Sequence, residues 1–262
     1  MNRIERKFKE LKAAKKKAFI AFITAGYPNL NTTKKLLLEF SRIGVDIVEL
    51  GVPFSDPMAD GPIIQQASEA ALKNKVNLQK ILGLVRQARK QTQMPICLMS
   101  YYNPIYCFPQ EKFVKLAAGA GVDGVIIPDL PPEEAGDFLK AANKSGLDII
   151  LFLAPTSSSK RIKLISKKAK GFIYYVSLTG VTGPRQQLPD DIAAHIKAIK
   201  RVTNKPVCAG FGVSSRLQVK QINRVADGVI VGSAIIKKIR ENAKRADLAA
   251  RVSSFVLKLK SR

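Results

Sequence analysis

Eight short apolar runs, separated by amphipathic stretches, restrict the fold of this sequence more than any other feature. They are Phe19–Thr24, Asp46–Leu50, Pro95–Met99, Gly124–Ile127, Asp148–Leu153, Phe172–Val176, Pro206–Gly210 and Gly228–Val231. Each has the length of a strand buried on both faces, where strict alternation of apolar and polar residues is not expected. Between them, Thr32–Ile43 opens on Asn31 or Thr32 as N-cap and carries Leu36, Leu37, Phe40 and Ile43 at helical spacing. Leu78–Arg89, Glu111–Ala120, Glu133–Ser145, Lys160–Lys168, Ile192–Val202 and Leu217–Val225 read as helices in the same way. Gly44, Gly121, Gly146 and Gly171 stand where a helix C-terminus favours glycine. Strands alternating with helices predict a parallel sheet, and eight strands in 262 residues predict an α/β fold of the closed (β/α)₈, or TIM-barrel, type. An open doubly wound sheet would want a G-x-G-x-x-G turn after its first strand, and the chain reads Ala25-Gly26-Tyr27-Pro28 there. The expectation is one domain. Residues 1–17 form an extra helix with Ile4, Phe8 and Leu11 on one side, 18–240 form the barrel, and 241–262 form a C-terminal helix.

Composition excludes several classes. At 46% hydrophobic and 24% charged, the chain has enough apolar material for a sizeable core and is not a disordered polymer. No apolar run approaches the roughly 18 residues of a membrane helix. The basic N-terminus followed by Ala18–Ala25 has the outline of a signal peptide, but Glu5 and Glu10 interrupt the charge and Gly26-Tyr27-Pro28 cuts the run short. Cys97, Cys107 and Cys208 form no C-x-x-C pair and cannot all pair internally, which points to a reducing, cytoplasmic compartment.

The net charge of +24 raises the rival reading of a nucleic-acid-binding protein. Its clusters, such as Lys15-Lys16-Lys17 and Lys160 through Lys170, lie in or beside predicted helices, where lysine forms the solvated outer face. No aromatic residues interleave them to make a stacking platform. Weak nonspecific binding at low salt is compatible with this pattern; specific recognition is not indicated.

In a barrel of this kind the chemistry lies at the C-terminal strand ends and in the loops that follow them. Glu49 sits between apolar neighbours near the end of the second run, where a carboxylate is costly unless it is paired or used. The next loop, Val52 through Pro62, carries Asp56 and Asp60, either of which could cap the following helix; Gly61-Pro62 can hold Asp60 at a fixed turn. Glycine turns follow the last three strands: Thr179 through Gly183, Gly210 through Ser215, and Gly232-Ser233-Ala234. Backbone N–H groups in such turns can cradle an anion, which points to a phosphorylated ligand. The one histidine, His195, falls mid-helix, and no lysine occupies a strand end. Neither a Ser-His-Asp arrangement nor a Schiff-base aldolase is indicated. If a C–C bond is cleaved, the substrate must be its own electron sink, with carboxylates moving the protons.

These segments closely resemble the tryptophan synthase alpha chain family. The likeness runs from Phe19 to Ile239 and is carried by Phe22 through Pro28, by Glu49-Leu50-Gly51-Val52-Pro53-Phe54-Ser55-Asp56-Pro57 continuing to Pro62, by Gly180 through Gly183, by Gly210 through Ser215, and by Val231 through Ile235. The resemblance implies a lyase that splits indole-3-glycerol phosphate into indole and glyceraldehyde 3-phosphate. By it, Glu49 carries protons, Asp60 holds the indole N–H and steadies the indolenine tautomer, and Tyr174 stands beside the catalytic carboxylate. Phe22, Ile64, Met99 and Tyr101 match the indole pocket. Gly183, Phe211, Gly212, Gly232 and Ser233 match the phosphate site, and Thr182 matches the threonine of the loop that closes over substrate. The family works as an α₂β₂ complex with a pyridoxal-phosphate beta chain, toward which Pro53, Asp56, Pro57, Asn103 and Pro131 would face. The alpha chain itself holds no cofactor. A chain that has lost catalysis and serves only as a binding subunit is the alternative within the family; Glu49, Asp60 and Tyr174 argue against it. The chain departs from its relatives chiefly in its basic charge.

Overall fold

The computed structural model describes residues 1–108, 110–176, 190–210 and 212–261. The chain opens with α1 (Arg3–Ala13), β1 (Ala18–Thr24), α2 (Leu30–Arg42), β2 (Ile47–Gly51), α3 (Pro62–Lys73) and α4 (Leu78–Arg89). It continues with β3 (Ile96–Met99), α5 (Tyr102–Tyr106), α6 (Gln110–Ala120), β4 (Gly124–Ile126), α7 (Gly136–Lys144), β5 (Asp148–Leu153) and α8 (Ser159–Lys168). It ends with β6 (Ile173–Val176), α9 (Asp190–Val202), β7 (Val207–Gly210), α10 (Arg216–Val225), β8 (Gly228–Val231), α11 (Ser233–Glu241) and α12 (Leu248–Lys260). Each strand pairs in parallel with the next, and β8 pairs with β1, so the sheet is a closed barrel.

Side-chain parity divides the core into two shells. Ile20, Ile47, Cys97, Ile126, Ile150, Cys208 and Ile230 point inward and pack with Phe172 and with Ile4, Phe8 and Leu11 of α1. Their neighbours in sequence, among them Ile23, Val48, Leu98, Val125, Ile149, Ile173 and Val229, point outward under the helices. Both strand faces are therefore apolar, which is why the runs show no alternation. The Phe8 ring lies 5.9 Å from that of Phe172, so α1 plugs the floor of the barrel. The plug depends on Gly124: a Cβ there would meet Ile150 Cδ1 at 2.7 Å and Ile4 Cδ1 at 2.9 Å.

Aspartates at the strand starts tie the floor together. Phe19 N donates to Asp46 Oδ2, Ile96 N to Asp123 Oδ2 and Val207 N to Asp227 Oδ2, at 2.9, 2.8 and 3.0 Å. Asp123 also binds Arg3 at 2.9 Å and the nearly buried Arg89 at 2.5 Å, which anchors α1 and α4 to the barrel.

The helices differ from the spacing-based reading mainly at their ends. Asn29, not Asn31 or Thr32, caps α2, because its side chain accepts from Thr32 N. The helix expected over Glu133–Ser145 starts later, at Gly136, after Pro131-Pro132. The C-terminal helix expected over 241–262 is α12, which starts later, at Leu248, with Asn242 through Asp247 between it and α11. The pattern passes over α3, α5 and α11. α3 buries only Ala67, Ser68 and Ala71, and α5 has five residues, too few for a helical period to register. Gly44, Gly121, Gly146 and Gly171 all take positive φ, as their place before a strand requires. Among the described residues no helix is long and apolar enough to cross a membrane.

Candidate active site at the barrel mouth

β2 carries Glu49 on the inward parity, level with Phe22 of β1 and Cys97 of β3. Its side chain is fully buried, and neither carboxyl oxygen has a hydrogen-bond partner. Burial alone pushes its pKa from 4.5 to about 8. A carboxyl held neutral at pH 7 by its surroundings is costly to stability and suited to proton transfer. Tyr174 of β6 is partly exposed at the same level. Its ring centroid lies 4.9 Å from that of Phe152, and burial followed by the Glu49 charge pushes its hydroxyl well above its usual range.

Asp60 ends the loop between β2 and α3. It does not cap α3: Gly61 is the N-cap, with no side-chain bond, and Pro62 fills the first turn. The Asp60 carboxyl is pushed up to about 6 by burial, partly offset by a hydrogen bond from Tyr101. The same Tyr101 hydroxyl accepts from Ala59 N at 2.8 Å, so one buried phenol holds both the loop backbone and the carboxylate. Its own pKa rises to about 12, through burial first and then the Asp60 charge.

A narrow cleft opens beside Asp60 and Tyr101; Glu49 and Tyr174 are not among its lining residues. Phe22, Asp60, Ile64, Met99 and Tyr101 line it, so the structure brings together four of the residues expected around a flat ring and the carboxylate expected at its N–H. It adds Thr24, Gly51, Val52, Ser68, Ser100 and Pro128, which the sequence reading omits. Thr24 could have been found by parity, since it lies two residues beyond Phe22 on the same strand face.

Across the mouth, Gly232 is the N-cap of α11, and no side chain caps that helix. A Cβ on Gly232 would stand 3.3 Å from Phe22, so this turn abuts the cleft. Ser233 follows as the first helical residue. The contrast with α10 is chemical. There Ser215 and Gln218 form a capping box, and Gln218 Oε1 also accepts from Ser214 N, so that terminus is occupied by its own side chains. At the α11 terminus no side chain takes that place, an arrangement that can receive an anion. Gly212, in the turn after β7, is exposed at φ +47°. Thr182, Gly183 and Phe211 lie outside the described residues.

The rim holds the remaining candidates. Asp56 and Asn103 are exposed, Pro57 and Pro131 half-buried, and Pro53 buried. A groove of about 590 Å³ runs along the outside of the β2–α3 loop, between Phe54, Asp56 and Met58 on one side and Gln65 and Leu72 on the other. His195 is placed in α9, where its Nδ1 lies 3.0 Å from the hydroxyl of Tyr175, which packs in the core layer outside the barrel. Cys97, Cys107 and Cys208 are free thiols.

Known proteins share this fold. The family model for the tryptophan synthase alpha chain matches residues 8–261. The tryptophan synthase alpha chain of Geotalea uraniireducens (strain Rf4) is 49% identical over 261 residues, covering 100% of this chain and 97% of that protein. The solved tryptophan synthase subunit alpha from Legionella pneumophila str. Paris superposes with a TM-score of 0.91 at 38% identity, covering 99% of this chain and 97% of that one. A chain of the tryptophan synthase complex from Pyrococcus furiosus does so with a TM-score of 0.84 at 35% identity, covering 92% and 97%. The chain belongs to the tryptophan synthase alpha chain family, the carbon–carbon lyases that split indole-3-glycerol phosphate in tryptophan biosynthesis.

Proposed function

We propose that Glu49 and Asp60 divide the lyase reaction between them, and that Glu49 acts first as acid and then as base. The observation that carries this reading is the fully buried Glu49 carboxyl, unpartnered and neutral at pH 7. It gives its proton to the indole C3, and the ring becomes an indolenine with positive charge at nitrogen. Asp60, ionised above about pH 6, holds that N–H and the charge that develops on it. The Glu49 carboxylate then takes the proton of the side-chain hydroxyl next to the ring. The carbonyl forms, the C–C bond breaks, and its electron pair returns to the ring. Glu49 ends protonated, as it began. Tyr174 packs beside it and fixes its surroundings.

Phe22, Ile64, Met99 and Tyr101 hold the indole ring. Gly212, Gly232 and Ser233 hold the phosphate with backbone N–H groups, joined by Thr182, Gly183 and Phe211. Pro53, Asp56, Pro57, Asn103 and Pro131 face a pyridoxal-phosphate beta chain in a cytoplasmic α₂β₂ complex, into which indole passes. The structure of a tryptophan synthase complex among the relatives supports such a partner.

The test is single-turnover cleavage of indole-3-glycerol phosphate by Glu49→Gln, with a parallel binding titration. The shape is kept and the proton carrier is lost, so kcat should collapse while binding persists. Near-normal turnover would remove Glu49 from the mechanism.

A further inference from the structure

Thr24 closes β1 with a hydroxyl that has nothing to bond. The residue is 2% exposed, and its Oγ1 has no hydrogen-bond partner. A buried, unmade hydrogen bond costs about 1–3 kcal/mol, so such a group is either a tolerated defect or a group kept for a partner that arrives later. Its surroundings favour the second. Ser100 lines the same cleft and satisfies itself by donating to Tyr101 O at 2.9 Å. Thr33, close by in the fold, donates to Asn29 O at 3.1 Å and accepts from Gly26 N at 2.9 Å. Thr24 is level with Gly51, so no side chain from β2 stands over it.

The acceptor that lines this cleft with Thr24 is the Asp60 carboxylate. The other cleft neighbours, Phe22, Ile64 and Met99, offer apolar surface that suits a flat ring. The polar atom of an indole ring is an N–H donor; with Asp60 accepting from it, the ring offers no acceptor for the Thr24 hydroxyl hydrogen. We propose that Thr24 is a positioning residue for Asp60, its hydroxyl donating a hydrogen bond to the carboxylate when substrate draws the 53–60 loop onto the mouth. This rests on the role given to Asp60 above. With Tyr101 already bonded to Asp60, Thr24 supplies a second donor. Two donors fix the carboxylate's orientation and hold it ionised against burial as charge develops at the ring nitrogen.

The experiment compares Thr24→Val, Thr24→Ser, Asp60→Asn and the Thr24→Val/Asp60→Asn double variant for kcat, KM, pH dependence and thermal midpoint. Thr24→Val keeps the shape and removes the hydroxyl. It should lower kcat/KM about tenfold, the equivalent of one lost hydrogen bond. It should move the acid limb of the kcat profile, which reports the enzyme–substrate complex, to higher pH, because Asp60 there loses a donor. Its thermal midpoint should hold or rise, because a buried orphan is gone. Thr24→Ser should restore the native limb. In the Asp60→Asn background the valine should cost little more. Unchanged kcat/KM and an unchanged acid limb in Thr24→Val overturn the proposal, as does an equal loss in both backgrounds. If Asp60→Asn impairs turnover while Thr24→Val does not, Asp60 keeps its role and only the positioning claim falls. Normal turnover in Asp60→Asn removes both.

Discussion

Glu49 and Asp60 stand in one barrel mouth, and their surroundings set their pKa values apart, at about 8 and about 6. The proposed cycle needs Glu49 protonated and Asp60 ionised at the start. The kcat/KM profile of the native enzyme should therefore be a bell, falling below about pH 6 and above about pH 8. Asp60→Asn should remove the acid limb and lower activity about 10²–10³-fold, the usual loss for one electrostatic stabiliser. A stopped-flow profile with an acid limb that survives Asp60→Asn would assign that limb to another group. The same burial has a stability signature. The Glu49 pKa is raised in the folded chain, from 4.5 to about 8, so the unfolded chain releases its proton first as pH rises. Folding stability then falls across that window, by at most about 1.4 kcal/mol for each pH unit that separates the two values. Asp148, buried at the barrel floor with an unpartnered Oδ2 and a pKa raised to about 6, acts in the same direction between 3.8 and 6. Glu49→Gln should unfold at a higher temperature than the native chain, with a margin that widens from pH 5 to pH 8 in scanning calorimetry. A margin that stays flat with pH would mean Glu49 ionises freely in the fold.

Among the elements, two helix N-termini at the same end of the barrel have opposite fates. α10 is capped by its own Ser215 and Gln218, and α11 is left open behind Gly232. If α11 holds the phosphate through its backbone, Gly232→Val should raise KM steeply, since its Cβ starts 3.3 Å from Phe22 and its methyl groups occupy the approach. Replacing Lys237 and Lys238 with Gln should change KM far less, since both lie further along α11 and Lys238 is already paired with Glu241 at 2.9 Å. A larger effect from the lysines would reassign the anion to side-chain charge. At the opposite end, Asp123→Ala leaves the Arg89 guanidinium nearly buried without its carboxylate and frees Ile96 N, so it should destabilise by about 3–5 kcal/mol in urea titrations without altering KM. The sequence revealed the strands because all eight are apolar on both faces, and it revealed Glu49 because a carboxylate in such a run is conspicuous. The tie between Tyr101, Ala59 and Asp60 was not legible, because it joins residues 42 apart that only the barrel's closure brings together. Parity places Thr24 on the face of Phe22, but its role was not legible: a threonine is an ordinary strand residue until its hydroxyl is seen to lack a partner.

The whole molecule divides its charge. The net +24 sits largely on the outer helices, while the mouth presents Asp56, Asp60, Asp129 and Glu133 on its loops. If the proposed phosphate site holds, the anion meets backbone dipoles rather than a lysine cluster, and KM should respond only modestly to salt, whereas incidental binding to polyanions should fall steeply with it. The rim of the same mouth also exposes apolar surface that a solitary chain has no reason to keep. Met58 is 85% exposed in the β2–α3 loop, and Tyr106 is 67% exposed at the end of α5, its ring 5.7 Å from Tyr102. Tyr102 N in turn donates to Asp129 Oδ1 at 2.8 Å, so α5 and the loop after β4 move as one piece. A partner seated on this rim would press on the loop that carries Asp60, and ordering that loop completes the site. The chain alone should be a slow enzyme, strongly activated by its cognate beta chain. Tyr106→Asp places a charge in the apolar rim without touching the cleft. It should weaken association by about tenfold or more, while the basal turnover of the isolated chain stays as it was. Indole release measured against beta-chain concentration reads both quantities, the midpoint giving affinity and the plateau giving activation. Equal rates with and without the beta chain would show that the loop is already ordered. A Tyr106→Asp chain with an unshifted midpoint would place the partner on another face of the barrel.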